Sequence, residues 1–146
     1  MENARAIRKF EWKDIGQIMQ IEKESFGIDR WDEMEFMKWY EIFPEGFLVA
    51  ENETGEVSSY IICDKEGYIH SIAVKGSEQR KGIGKALIHE ETRITGADEL
   101  YLHVRVSNEK AIWFYENLGF QKLQVFSGVY EDGEDAIYMK LQLKKE

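Results

Sequence analysis

Apolar residues recur along this chain with two different periods, and each change of period marks the edge of an element. Ile15, Ile18, Met19, Ile21 and Phe26 fall at roughly helical spacing within residues 12–26, and Met34, Met37, Trp39 and Phe43 repeat that spacing within 31–43. Two short helices are predicted there, behind a first strand over 5–9. Apolar runs at 47–50 and 57–63 flank Asn52-Glu53-Thr54-Gly55, whose residue types favour a turn, so the pair reads as a hairpin. After Asp64-Lys65-Glu66-Gly67 comes a further strand, 68–74. Ile83, Leu87, Ile88 and Ile94 then share one side of a helix over 82–94, with Gly96 placed to stop it. Period two returns in Leu100, Leu102, Val104 and Val106, a strand with one apolar face. Ser107 or Asn108 can cap the next helix, and Gly119 can end it with Phe120 packing back. Two closing strands, 121–126 and 136–143, join through Glu131-Asp132-Gly133-Glu134. Strands and helices mixed in this order predict an α/β architecture.

Composition narrows the class. With 146 residues, no internal repeat and a single proline, Pro44, the chain reads as one domain over 1–146, long enough to bury a core unaided. No apolar run approaches the roughly 18 residues that span a bilayer. Residues 1–10 lack the apolar stretch of a secretion signal, so a cytoplasmic protein away from membranes is expected. Cys63 stands alone, which excludes an internal disulfide and predicts a buried, inert thiol. A formal charge of −9 repels nucleic acid and anionic membrane at long range and favours a basic partner such as an amine. None of the three histidines forms a His-x-x-x-His pair, and His89-Glu90-Glu91-Thr92-Arg93 has Arg where a zinc-helix motif needs its second His. No metal is expected.

The chemistry concentrates in Gln79-Arg80-Lys81-Gly82-Ile83-Gly84-Lys85-Ala86, which follows an apolar strand and opens a helix. Glycines let backbone approach a ligand closely, and the first N–H groups of a helix lack intrahelical partners, so this order suits phosphate oxygens. Two commoner phosphate motifs fail here. A P-loop needs Gly at Gln79 and Ser or Thr at Ala86, and the dinucleotide fingerprint needs Gly at Leu87. Strand, Gln-x-x-Gly-x-Gly, helix resembles instead the coenzyme A pyrophosphate loop of the GCN5-related N-acetyltransferases. A second block, from Asn108 through Ala111 and Tyr115 to Gly119-Phe120, is similar to that family's Asn-x-x-Ala-x-x-x-Tyr-x-x-x-Gly-Phe at every fixed position. Leu102-His103-Val104-Arg105-Val106-Ser107-Asn108 and the segment from Tyr130 to Ala136 look like its N-terminal protein acetyltransferases, the ribosomal-protein alanine and Ard1-like groups.

The resemblance, which runs from about Arg5 to Lys140, implies a mostly antiparallel sheet that splays between its fourth and fifth strands to admit acetyl-CoA. It implies that Arg80, Lys81, Gly82, Ile83, Gly84 and Lys85 hold the pyrophosphate, that Ile72, Ala73 and Val74 run along the pantetheine arm, and that the Val74 amide faces the thioester oxygen. Ile72 and Val74 can also be core, since backbone and side chain serve different ends. Asn108 is implied as a cofactor contact as well as a helix cap. Tyr115 is implied as the acid that protonates the departing thiolate, a phenol near pKa 10 facing a thiol near 8.5.

The base is implied at His103, where the alanine acetyltransferase has Glu, with Tyr68 as a partner ordering water or the amine. His70, two residues on from Tyr68, faces the same side. Phe26, Ile28, Arg30 and Tyr130 are implied against the acceptor peptide, and an apolar Ile28 favours an apolar first residue. Val129 departs from the Tyr found before Tyr130 in many relatives, which removes one expected hydroxyl contact. A polypeptide N-terminus, including that of a ribosomal protein, is the implied acceptor. An α-amine near pKa 8 is easier to deprotonate than Lys near 10.4 by about 3.4 kcal/mol. The alternatives are an acceptor lysine or small amine on the same scaffold, and a coenzyme A-binding module without turnover.

Overall fold

A computed structural model describes residues 6–79 and 82–143, with the backbone alone at Ile28. Strands β1 (Ala6–Lys9), β2 (Phe47–Glu51), β3 (Val57–Cys63) and β4 (Ile69–Val74) form one antiparallel sheet in chain order. The β2–β3 turn is organised by Asn52, whose Oδ1 accepts from the N–H groups of Thr54 at 2.9 Å and Glu56 at 3.0 Å. A second antiparallel sheet has the order β5 (Glu99–Arg105), β7 (Ala136–Gln142), β6 (Gln121–Phe126).

The sheets touch where β4 and β5 begin. Tyr68 and Tyr101 form a single parallel bridge, and the Tyr101 N–H donates to the Gly67 carbonyl at 2.9 Å. Gly67 permits this approach twice over: its φ is +94°, and a Cβ there would lie 2.6 Å from the Glu99 carbonyl oxygen. Past the bridge no ladder joins β4 to β5, and the expected splay opens between them.

Helices cover both faces. A 3-10 turn, Trp12–Asp14, leads into α1 (Ile15–Phe26), and α2 (Glu33–Ile42) follows; α3 (Ile83–Thr95) and α4 (Glu109–Asn117) pack on the opposite side. One core joins Leu48, Ile61, Leu87, Leu100 and Met139, and the other joins Ile18, Phe36, Phe47 and Tyr60. Because β2 and β3 lie between the two, they are buried on both faces and read as continuous apolar runs.

Two sequence expectations are corrected. In α2 the inward residue is the buried Phe36, with Trp39 and Tyr40 half-buried beside it at i+3 and i+4 and Phe43 half-buried just past the helix, whereas Met34 is 72% exposed and Met37 also faces outward. Val106 is not the last residue of the apolar face of β5. The strand ends at Arg105, where the Val106 N–H bonds Asp135 and the chain turns toward α4. Cys63 is buried as expected, and burial raises its thiol above the ordinary range.

Candidate active site

The free edge of β4 supplies the first half of the site. Lys75 N–H bonds the Ser58 carbonyl at 2.8 Å and Val74 stands opposite Ser59, so the alternation of an antiparallel ladder turns the N–H groups of Ile72 and Val74 away from β3, toward the splay. Gln79 Nε2 donates to the Val74 carbonyl at 3.0 Å and folds the loop back onto this edge. Gly82 then enters α3 at φ +79°, a conformation that strains any other residue. The first bond inside the helix runs from Ala86 N–H to the Gly82 carbonyl, which leaves the preceding first-turn N–H groups aimed outward. Gly84 has a different duty, since a Cβ there would meet Phe114 Cζ at 3.1 Å; it lets α3 and α4 approach each other.

Between β4, α3 and α4 lies a groove of about 570 Å³, to which Ile72, Ala73, Val74, Gly82, Gly84 and Lys85 contribute. The side chains of Ile72, Val74 and Ile83 are buried in the core, so their backbone is what they offer the groove. Open strand-edge amides continued by a helix N-terminus fit an elongated amide-bearing arm that ends in a pyrophosphate, as in acetyl-CoA. Arg80 and Lys81 lie outside the described residues.

Tyr115 separates this groove from a smaller slot of about 280 Å³ and, with Phe26, Asn108 and Ala111, lines both. The Asn108 side chain accepts from Ala111 N–H at 3.1 Å, the expected cap. Tyr115 is 8% exposed, and burial holds its phenol well above the ordinary value, with a smaller contribution from Tyr130. Burial thus favours the protonated, hydrogen-bond-donating form of this hydroxyl.

His103 lines the slot, and its Nδ1 lies 2.6 Å from the Tyr68 hydroxyl. Tyr68 touches the imidazole from behind and is not among the residues that line the slot. Donor and acceptor in this contact follow the imidazole tautomer: in the one protonated at Nδ1, that N–H donates to the Tyr68 hydroxyl and Nε2 is left free to take a proton. Burial lowers the His103 pKa, which keeps the ring neutral, and burial pushes the Tyr68 phenol up to about 12.

The remaining candidates divide. His70 lines the slot but is already held: its Nε2 lies 2.9 Å from Asp64 Oδ2, and its ring stacks on Trp39 at 3.7 Å. Tyr130 reaches the slot with its ring 4.1 Å from the guanidinium carbon of Arg105. Arg30 does not reach the slot; it is exposed and folds back toward the Gly27 carbonyl at 3.4 Å. The Ile28 side chain lies outside the described atoms. Among the described residues, no group of three His, Cys, Asp or Glu side chains is placed to hold a metal ion.

Sequence reading missed Glu22. It is 1% exposed on the slot floor, accepts from Trp31 N–H at 2.9 Å and from the Tyr60 hydroxyl, and Tyr60 in turn lies 2.9 Å from Ser71 Oγ. Burial raises its pKa even against those two hydrogen bonds. Its position between Ile18 and Phe26 at intervals of four, an acid on an apolar stripe, was the available signal.

A splayed sheet with a helix N-terminus at one cleft and a buried Tyr at the junction with a second defines an acyl-coenzyme A-dependent transferase scaffold, and the model of the acetyltransferase (GNAT) family matches residues 12–120. The chain belongs to that family. It is 33% identical to an N-alpha-acetyltransferase of Sulfurisphaera tokodaii, covering 94% of this chain and 92% of that one. It is 32% identical to the [ribosomal protein bS18]-alanine N-acetyltransferase of Escherichia coli over 94% of this chain and 97% of that protein. The crystal structure of Ard1 from Thermoplasma volcanium superposes with a TM-score of 0.83 at 26% identity, covering 97% of this chain and 99% of the other. Acetyl-CoA is thus the acyl donor of an N-acetyltransferase.

Proposed function

We propose that this chain acetylates the α-amine of polypeptide N-termini by direct transfer, with a ribosomal protein among its acceptors. The observation that carries the reading is Tyr115 at the junction of the groove and the slot, with His103 on the slot wall. Acetyl-CoA supplies an activated acyl group and a thiol leaving group. The outward amide of Val74 is aimed where a thioester oxygen gains charge, the role of an oxyanion donor. His103 Nε2 accepts the proton of the attacking amine while Tyr68 holds the ring, and the Tyr115 hydroxyl hydrogen-bonds the departing sulfur. The backbone of Gly82 to Lys85, with Arg80 and Lys81, holds the pyrophosphate.

A neutral histidine suits an α-amine, roughly a tenth of which is already unprotonated at pH 7, better than a lysine. The relatives named for N-terminal acetylation support the same choice. The test offers acetyl-CoA with three peptides of one sequence: a free N-terminus without lysine, a blocked N-terminus with internal lysine, and both. Mass spectrometry should place acetyl on the α-amine alone. Modification only of the internal lysine would overturn the reading, and bound acetyl-CoA without turnover would identify a silent binding module.

A further inference from the structure

The slot is walled by two segments that have no backbone ladder between them: the 3-10 turn Gly27–Asp29 after α1, and the connection from β6 to β7. Arg105, the last residue of β5, reaches both. Its Nε and Nη2 bond the two carboxylate oxygens of Asp29 at 2.7 and 2.9 Å, a planar fork on one segment. Its Nη1 bonds Asp132 at 2.9 Å and Glu134 at 2.8 Å on the other, and Tyr130 lies across its face. Glu134 also accepts from Ser107 N–H at 2.7 Å, one residue before the Asn108 cap of the helix that carries Tyr115.

We propose that Arg105 is an ionic latch, a positioning residue that joins the two walls of the acceptor slot and so sets peptide affinity. The proposal rests on the peptide-acetylating reading above. One guanidinium occupied by two sequence-distant segments makes their positions interdependent: when the fork to Asp29 breaks, the Asp132 and Glu134 side loses its only shared anchor to the first segment among the described contacts. The side chain of Arg105 is 18% exposed, shielded enough for a persistent network, whereas Asp29 and Asp132 are 42% and 62% exposed, open enough for salt to loosen it. Lysine at this position would keep the charge and lose the fork, so it cannot grip both walls at once.

The test compares wild type with Arg105→Gln, Arg105→Lys and Asp29→Asn, using Arg93→Gln on the outer face of α3 as control. Arg105→Gln should raise the peptide KM about tenfold, the loss expected for a three-carboxylate network, with KM for acetyl-CoA and kcat within twofold. Arg105→Lys should restore only part, Asp29→Asn should resemble Arg105→Gln, and the two together should be less than additive. Raising salt from about 50 mM to about 500 mM should weaken peptide binding in wild type and not in Arg105→Gln. Hydrogen exchange of the free proteins should speed up in residues 27–32 and 128–135 together. Unchanged exchange in both segments, or an unchanged peptide KM with loosened segments, overturns the latch. If wild type acetylates no peptide, the functional reading fails, and exchange alone decides whether Arg105 joins the walls.

Discussion

At the scale of single residues the proposed reaction requires three rings to stay neutral. In that reaction His103 must be unprotonated to accept a proton, and burial lowers its pKa, so at saturating peptide the acid limb due to His103 should lie below the ordinary histidine value, apart from the limb that the α-amine itself gives at about pH 8. Tyr68→Phe removes the partner of Nδ1, and the imidazole loses its fixed orientation. We expect kcat to fall about tenfold or more with acetyl-CoA affinity unchanged, and His103→Ala to fall further and lose the limb due to histidine while keeping that of the α-amine. Initial rates from pH 5.5 to 9 together with calorimetric binding of acetyl-CoA check both; wild-type profiles in both variants would remove His103 from the reaction. The positions proposed for these roles could be read in sequence because Tyr115, Asn108 and His103 sit in blocks that resemble a family's signatures. Glu22 and the ion pairs of Arg105 were not, because each acts through a residue distant in sequence, Tyr60 and Asp29, and no local pattern records such a pairing.

Elements are easier to read than faces. Strands β2 to β5 and helices α3 and α4 follow directly from apolar period, glycine stops and an Asn cap. The burial of α2 was misread because apolar residues occur on more than one side of the helix, Met34 and Met37 facing out and Phe36 facing in, and period alone does not say which side meets the sheet. The same packing explains how α1 is fixed. Glu22 binds Tyr60 on β3 and the Trp31 amide in the connection to α2, tying helix, sheet and slot wall at one buried point. Glu22→Ala should therefore cost roughly 1–3 kcal/mol, the range for stranding buried polar partners, moderated here because Tyr60 retains Ser71. A urea midpoint shifted downward with an unchanged slope would bear this out. An unshifted midpoint would mean that the tie contributes nothing to stability.

For the whole molecule, the sequence could announce its charge but not where a charge is least welcome. Glu91 lies on the inner face of α3 at 0% exposure, and neither carboxylate oxygen has a hydrogen-bond partner in the structure. Burial, with a lesser push from Glu90, raises its pKa from 4.5 to about 9. The folded chain thus holds a proton that the unfolded chain releases above about pH 4.5, and the contribution of Glu91 to stability falls as pH rises through that interval. The slope contributed by this one group is at most about 1.4 kcal/mol per pH unit, and it vanishes once the folded state also ionises. Glu91→Gln keeps the shape and removes the titration. The difference in unfolding free energy between the two proteins should therefore grow in favour of the glutamine variant from pH 5 to pH 8, measured by urea denaturation at fixed ionic strength. Parallel stability curves across that range would show that Glu91 ionises as readily in the folded protein as in the unfolded chain.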